Sequence, residues 1–219
     1  MLKISSLFIA ALCLTTTVAW AGPVTYTITV DTSSLSGDAG SLDFNFNPGP
    51  LVTQEADLQI KNFASSATDG APTGTPTLTG DVSGTLPGTL TFDNLVGFND
   101  YFHDFTFGST LSFQVSLYGP ALSSPDGVST SGSAFAFSMY SDSAGTIPAL
   151  TTDTTDGFAT LVDVNLDGTT TLINYIPASS PSSVVPEPSS LLLLGTGLLG
   201  LGTLARRRPL TSRAAQGKL

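Results

Sequence analysis

The chain has 219 residues, of which 41% are hydrophobic and only 11% are charged. All seventeen acidic residues lie between Asp31 and Glu187, and the only basic residue in that stretch is Lys61, so its formal net charge is −16. Such a surface repels phosphate groups, which excludes nucleic acid as a partner. The charge is best interpreted as a solvated surface that keeps the folded protein soluble.

Residues 1–21 are predicted to be a secretory signal peptide. Lys3 supplies the positive charge and residues 4–18 are largely apolar. Ala19-Trp20-Ala21 then has the small-residue pattern at which signal peptidase cuts, here after Ala21. The only cysteine of the chain lies inside this segment. The mature protein is therefore predicted to lack thiols, which excludes cysteine nucleophiles, disulfides and cysteine-bound metals.

Residues 22–177 are predicted to form one all-β domain. Apolar and polar residues alternate in about nine short segments bounded by turn signals. The clearest segments are residues 25–30, 42–46, 56–61, 111–117 and 135–139. Segments 158–165 and 169–176 are joined through Asp167-Gly168, a dipeptide typical of hairpins. We predict a two-sheet β-sandwich of the jelly-roll type, with a closed barrel as the alternative.

The C-terminal part of the chain differs in composition from this domain. Residues 178–185 are rich in serine and proline and are predicted to be a linker. Residues 191–205 form an uncharged Leu/Gly run, which as a helix is about 22 Å long against a hydrocarbon core of about 30 Å. We therefore predict one short transmembrane helix. The basic cluster that follows it should stay cytoplasmic, which makes residues 209–219 a cytoplasmic tail.

The C-terminal segment resembles the PEP-CTERM sorting signal of Gram-negative bacteria that possess an exosortase. The resemblance covers residues 186–208, and eleven further residues follow where the family usually ends sooner. It combines a PEP motif, the Leu/Gly run and an arginine cluster. The motif and cluster residues are Pro186, Glu187, Pro188, Arg206, Arg207 and Arg208.

This resemblance implies that an exosortase-type membrane transpeptidase recognises the tail and cuts near the PEP motif. The protein would cross the inner membrane, be anchored there transiently, and then reach the cell surface or the extracellular space. Proteins with such signals usually accompany exopolysaccharide and biofilm loci, so extracellular polysaccharide is an implied partner. The domain itself is similar to an uncharacterised group of PEP-CTERM proteins, through phrases such as "LDFNFNPGP", "GFNDYFHDFTFG" and "DVNLDGTTT". That similarity implies no activity.

Residues suited to catalysis are scarce in the domain. His103 is the only histidine of the chain, and its neighbour Asp104 would point to the opposite face of a strand. No G-x-S-x-G motif is present. Because aspartate is plentiful, a secreted glycosidase that uses two carboxylates stays a minor alternative. We predict that the protein is not an enzyme and needs no cofactor.

Calcium is the only metal ion for which the sequence contains a partial binding motif. Asp163, Asn165 and Asp167 match the D-x-N-x-D-G opening of a calcium-binding loop. Position twelve of that loop is Asn174 rather than glutamate, and the flanking segments alternate like strands, so a plain hairpin turn explains the pattern better. A second acidic group consists of Asn99-Asp100 and His103-Asp104. Aromatic residues interleave with it, which is typical of a sugar-binding loop but also of a packed core.

The predicted function follows from the targeting segments more than from the domain. We expect an exported cell-surface or extracellular matrix protein with a non-catalytic structural or adhesive role associated with exopolysaccharide and biofilm. The first alternative is a lectin-like carbohydrate-binding module, with or without calcium. A secreted glycosidase is the second.

Overall fold

The computed structural model describes residues 22–66 and 70–177, together with the backbone of residues 182–186. The predicted signal peptide, transmembrane run and cytoplasmic tail lie outside these residues. Within the described part, no helix has both the length and the apolar character needed to cross a bilayer. The structure therefore covers the domain that the sequence places between the two targeting segments.

Strands dominate this domain. The other regular elements are a 3-10 turn at Ser33–Leu35 and a single helical turn, α1, at Pro120–Ser123. The strands are β1 Val24–Asp31, β2 Ala39–Pro48, β3 Asp57–Ser65, β4 Ala71–Pro72, β5 Thr77–Thr79, β6 Val82–Ser83, β7 Leu90–Asp93, β8 Asp100–Thr106, β9 Thr110–Tyr118, β10 Ser133–Tyr140, β11 Thr160–Val164, β12 Thr170–Asn174 and β13 Ser182–Pro186. β4, β5 and β6 are short because glycine and proline interrupt the pairing there.

The strands pair into two antiparallel sheets. The first sheet has the order β13-β1-β9-β3-β7-β6. The second has the order β12-β11-β10-β2-β8-β4, and β5 also pairs with β8. β1 and β2 follow one another in the chain but lie in different sheets, and β9 inserts between β1 and β3. Most of the pairing therefore joins segments that are distant in the sequence.

Aromatic side chains from both sheets meet in the core. Phe44 on β2 and Phe137 on β10 project from the second sheet, and Phe113 on β9 projects from the first. The ring centroid of Phe113 lies 5.2 Å from that of Phe44 and 4.8 Å from that of Phe137. These edge-to-face contacts are the preferred geometry for aromatic pairs. The two sheets are thus packed face to face, which confirms the predicted β-sandwich; its jelly-roll refinement stays a prediction.

The alternating segments of the sequence bury the predicted faces. Leu42, Phe44 and Phe46 are all fully buried, while Asp43 and Asn45 between them face the outside of the second sheet. The predicted hairpin is also present, as β11 pairs with β12 through a turn in which Gly168 adopts a φ of 80°. That positive φ favours glycine, which explains the Asp-Gly dipeptide.

One predicted boundary differs from the structure. Residues 178–185 are predicted to be a linker, yet Ser182–Pro186 form β13, which pairs antiparallel with β1. Without β13, β1 would be an edge strand, and its backbone N–H and C=O groups on that side would lack partners. Residues 182–186 pair with this edge. Proline ends the strand without difficulty because a terminal residue need not donate to the ladder. Residues 178–181 lie outside the described part.

The strand directions define two ends of the sandwich. At the end that we call the tail end lie the loops 49–56, 94–99, 119–132 and 165–169, and β13 also runs toward it. At the far end lie the loops 32–38, 107–109 and 141–159. Because β13 runs toward the tail end, the chain leaves the described domain on that side and continues into the C-terminal sorting region.

Candidate functional site

Two carboxyl groups meet on the outer face of the second sheet. Asp43 lies on β2 and Asp100 on β8, in neighbouring rows of the paired strands. The two side chains share a hydrogen bond. Asn45 Nδ2 donates a second hydrogen bond, of 2.6 Å, to Asp43 Oδ1. Asp100 Oδ1 and Asn45 Oδ1 are buried and have no hydrogen-bond partner among the described residues.

Burial controls the protonation of this pair. It raises the pKa of Asp43 to about 8, and the hydrogen bond and negative charge of Asp100 add to the increase. Burial also raises the pKa of Asp100. Two carboxylates in contact cannot both be charged at low cost, so the pair shares a proton at neutral pH. We call Asp43, Asn45 and Asp100 the carboxyl pair site.

Aromatic side chains border the carboxyl pair site on the same face. Phe102, opposite Asp43 in the β2–β8 pairing, is half-buried, and its ring centroid lies 6.5 Å from that of half-buried Tyr140. Beyond Tyr140 is an open depression of about 480 Å³ that is lined by the loop 141–159, including Thr146, Thr151 and Asp153. Exposed ring surface beside carboxyl, amide and hydroxyl groups is the combination that polar ligands with apolar faces, such as sugars, require.

The carboxyl pair has the wrong geometry for glycoside hydrolysis. A retaining glycosidase needs its two carboxyl groups about 5–5.5 Å apart, and an inverting one needs more, because the sugar or a water must fit between them. Asp43 and Asp100 are hydrogen-bonded to each other instead. The pair therefore leaves no space for a scissile bond between its two acids.

The only histidine lies in the core. His103 is 4% exposed, and its Nδ1 lies 2.8 Å from the hydroxyl oxygen of Tyr101. Leu86 N donates to the same Tyr101 oxygen at 3.0 Å. Asp104, next along β8, faces outward, as the alternation predicts. His103 therefore supports the packing of the core and does not meet the solvent.

The residues of the calcium hypothesis lie along one hairpin. Asp163 is on β11, and Asn165 and Asp167 are in the turn. Asp167 Oδ1 accepts hydrogen bonds from the backbone nitrogen and hydroxyl of Thr169, and these contacts lower the pKa of Asp167. Asn165 Nδ2 donates to the hydroxyls of Thr169 and Thr171. The contacts seen here are those of a hairpin turn, and calcium binding by these residues stays a prediction.

A third acidic group was not anticipated from the sequence. Carboxylate oxygens of Glu55, Asp57 and Asp93 all lie within 4.8 Å of one another. The pairing of Asp57 with Asp93 across β3 and β7 brings them together. Burial, followed by the charges of Asp93 and Glu55, raises the pKa of Asp57. Three such carboxylates could hold one hard cation, but no local sequence motif reveals residues so far apart in the chain.

The predicted sorting residues adjoin the edge of the first sheet. Pro186 ends β13 opposite Tyr26 of β1. Glu187, Pro188 and the arginine cluster lie outside the described residues, as does Ala21 at the predicted signal peptidase site. The PEP motif therefore begins at the last residue of the folded domain, with no spacer between them.

Comparisons with known proteins identify the C-terminal region alone. The family model for the PEP-CTERM protein-sorting motif matches residues 184–208. No curated protein matches the chain, and no solved structure does either. The family of the domain is thus not identified. Residues 184–208 are a PEP-CTERM sorting motif, which marks the chain as an exported protein sorted by an exosortase.

Proposed function

We propose that the protein is a non-catalytic structural or adhesive component of the cell surface or extracellular matrix, associated with exopolysaccharide and biofilm. The observation that carries the proposal is the overlap of the sorting motif, residues 184–208, with β13 of the sandwich. Because the motif begins inside the last strand, the cargo delivered by sorting is the folded sandwich itself. A folded acidic module that is exported and attached in this way suits a matrix role.

Two features of the domain support the absence of catalysis. His103, the only imidazole, is buried against Tyr101 and cannot reach a substrate. The carboxyl pair of Asp43 and Asp100 is hydrogen-bonded to itself and does not have a glycosidase spacing. In place of a catalytic site, the domain presents an extended folded surface.

Fractionation of the source bacterium tests the sorting and the role together. The tagged protein should appear in the surface or matrix fraction, and mass spectrometry should find no peptides beyond about Pro188. The triple variant Pro186→Ala, Glu187→Ala, Pro188→Ala should stay full-length in the inner membrane. Deletion of the gene should weaken matrix cohesion without changing the release of reducing sugars. Altered sugar release from purified matrix would contradict the non-catalytic role, and full-length protein in the matrix would contradict the processing.

Carbohydrate binding is the second candidate, and the aromatic pair on the second sheet favours it. Phe102 and Tyr140 lie beside the carboxyl pair site and the open depression at Thr146 and Asp153. Stacking of a sugar ring on an aromatic face, with hydroxyls hydrogen-bonded to carboxyl and amide groups, would use this arrangement. The ligand class would be a neutral polysaccharide, because an anionic one is repelled by the acidic surface.

Binding to the matrix polysaccharide of the same bacterium tests this candidate. Phe102→Ala and Tyr140→Ala should each reduce retention on immobilised polysaccharide. Tyr118→Ala is the matched control, because Tyr118 is a half-buried aromatic residue on β9 of the first sheet. Loss of binding in Tyr118→Ala alone would place the site elsewhere. Repeating the assay with a calcium chelator shows whether the binding needs calcium.

A further inference from the structure

Exposed apolar side chains are concentrated at the tail end of the sandwich. Among the described residues, nine large apolar side chains are exposed, and seven of them lie in the four tail-end loops. We call these seven residues the apolar rim: Leu51, Val52, Leu95, Val96, Phe98, Val128 and Leu166. Of the other two, only Ile147 lies in a far-end loop. Seven exposed apolar side chains in the loops at one end, against one in the loops at the other, favour an interaction surface at the tail end.

Hydrogen bonds between the loops hold the rim together. Asn94 Nδ2 donates to Gln54 O and to Ser133 Oγ, and Ala56 N donates to Asn94 Oδ1. The backbone nitrogen of Thr130 donates to Val52 O. The loops 49–56, 94–99 and 119–132 are therefore tied to each other rather than projecting independently.

The number of residues between Pro186 and the apolar run limits how far the tail end can lie from the start of that run. Pro186 lies level with Val115, because both are paired with Tyr26, and β9 continues three residues further to Tyr118. Those three residues span about 10 Å. From Pro186 to Leu191, where the apolar run of the sorting region begins, five fully extended steps reach about 17 Å. The apolar run therefore begins no more than about 7 Å beyond the ends of the first-sheet strands.

That distance is comparable with the thickness of a headgroup layer. The polar region on each side of a bilayer is about 5–8 Å thick. If residues 191–205 lie in the hydrocarbon core, the tail-end loops must lie in or against the headgroup region. Apolar side chains at that depth are stabilised by burial at the boundary with the acyl chains.

We propose that the apolar rim is a membrane-contact surface, which seats the tail end of the sandwich on the lipid bilayer while the sorting tail is inserted. The partner is a lipid surface of low negative charge. Glu55, Asp126 and Asp167 are exposed at the same end, and none of the described residues there is basic, so anionic headgroups are repelled. The inference rests on insertion of the tail, which is part of the proposed function.

Depth-dependent quenching of tryptophan fluorescence tests the contact. The only tryptophan of the chain, Trp20, lies in the predicted signal peptide, so the chain that begins at Gly22 has none. Phe98→Trp and Leu166→Trp place a reporter on the rim, and Ile147→Trp places one at the far end. Phe98 and Ile147 are matched in exposure, at 54% and 57%. Each variant, comprising residues 22–219, is reconstituted into phosphatidylcholine vesicles with brominated acyl chains.

The rim reporters should lose fluorescence to the brominated lipid, and the far-end reporter should not. Adding Leu95→Ser and Val128→Ser to Phe98→Trp should reduce the loss, as should phosphatidylglycerol at low salt. Flotation of the vesicles reports insertion of the tail separately, and circular dichroism reports folding. Vesicles that float without quenching at the rim would overturn the proposal, and so would equal quenching at Ile147→Trp. A rim that binds only a membrane protein would give the first of these results, because the vesicles contain lipid alone.

Discussion

The tail end of the sandwich and the far-end loop 141–159 differ in how hydrogen bonds hold them and in which side chains they expose. At the tail end, the buried Asn94 side chain joins three segments of the chain. In the far-end loop 141–159, Asp142 and Asp153 bind backbone nitrogens only two to five residues away. The hydrogen bonds of Asn94 connect separate segments of the chain, whereas those of Asp142 and Asp153 connect residues within one loop.

The difference shows how one scaffold can carry two kinds of surface. Loops that are cross-linked by a buried amide can hold apolar side chains in solvent, because they cannot easily collapse to hide them. The far-end loop exposes threonine and aspartate around an open depression and places Ile147 alone among them. The tail end is therefore suited to an apolar partner and the far end to a polar one.

The largest expected effect comes from the carboxyl pair site, between the two ends. The pKa of Asp43 is about 8 in the folded protein against an ordinary value of 3.8, so folding favours its protonated form. The free energy of unfolding should therefore be highest below about pH 4 for this group and fall as pH rises towards about 8, by a few kcal/mol. Urea denaturation at several pH values measures this.

Asp43→Asn removes the titrating group while keeping its size. Its free energy of unfolding should vary much less between about pH 5 and about pH 9 than that of the parent. An unchanged slope in Asp43→Asn would show that the pair does not titrate as proposed.

Asn94→Ala should give the next largest effect. The change removes three hydrogen bonds and leaves Ala56 N and Gln54 O without their partner, so the free energy of unfolding should fall by about 2–4 kcal/mol. Asp142→Ala at the far end also removes several hydrogen bonds, but in an exposed loop whose backbone nitrogens can form hydrogen bonds with water instead. Its effect should be clearly smaller. Equal losses in urea denaturation would remove the proposed distinction between the tail end and the far-end loop 141–159.

Trypsin digestion tests whether β3, which carries Lys61, stays paired in the native sheet. Lys61 is the only trypsin site between Gly22 and Pro186, and it lies on β3, paired with Gln114. A paired strand does not offer the extended free backbone that a protease needs. The native processed domain should survive, and the heat-unfolded domain should give fragments of about 40 and about 125 residues. Rapid cutting of native protein would mean that the adjoining bulge at Asn62 opens easily.

Calcium should have the smallest effect. Because Asp167 Oδ1 is engaged by Thr169, we expect millimolar calcium to leave Tm unchanged. Asp167→Ala should loosen the turn slightly in the presence or absence of calcium. An increase in Tm with calcium that disappears in Asp167→Ala would instead establish the metal site. The same titration on Asp93→Asn examines the third acidic group at the tail end.

The sequence by itself determined the features that depend on local chemistry. A period of two in segments such as 42–46 and 111–117 predicts which side chains enter the core, because successive residues of a strand face opposite sides. Asp167-Gly168 predicts a hairpin because glycine tolerates the positive φ. The sorting motif at residues 184–208 is likewise a contiguous pattern and was recognisable without coordinates.

Only the tertiary structure decided which distant residues meet. The sequence singled out Asp100 but not its partner Asp43, and the trio of Glu55, Asp57 and Asp93 went unnoticed, because strand order and register are set by long-range pairing. The same pairing turned part of the predicted linker into β13 and gathered the apolar rim from four loops. Each of these features depends on contacts between segments that sequence periodicity treats as independent.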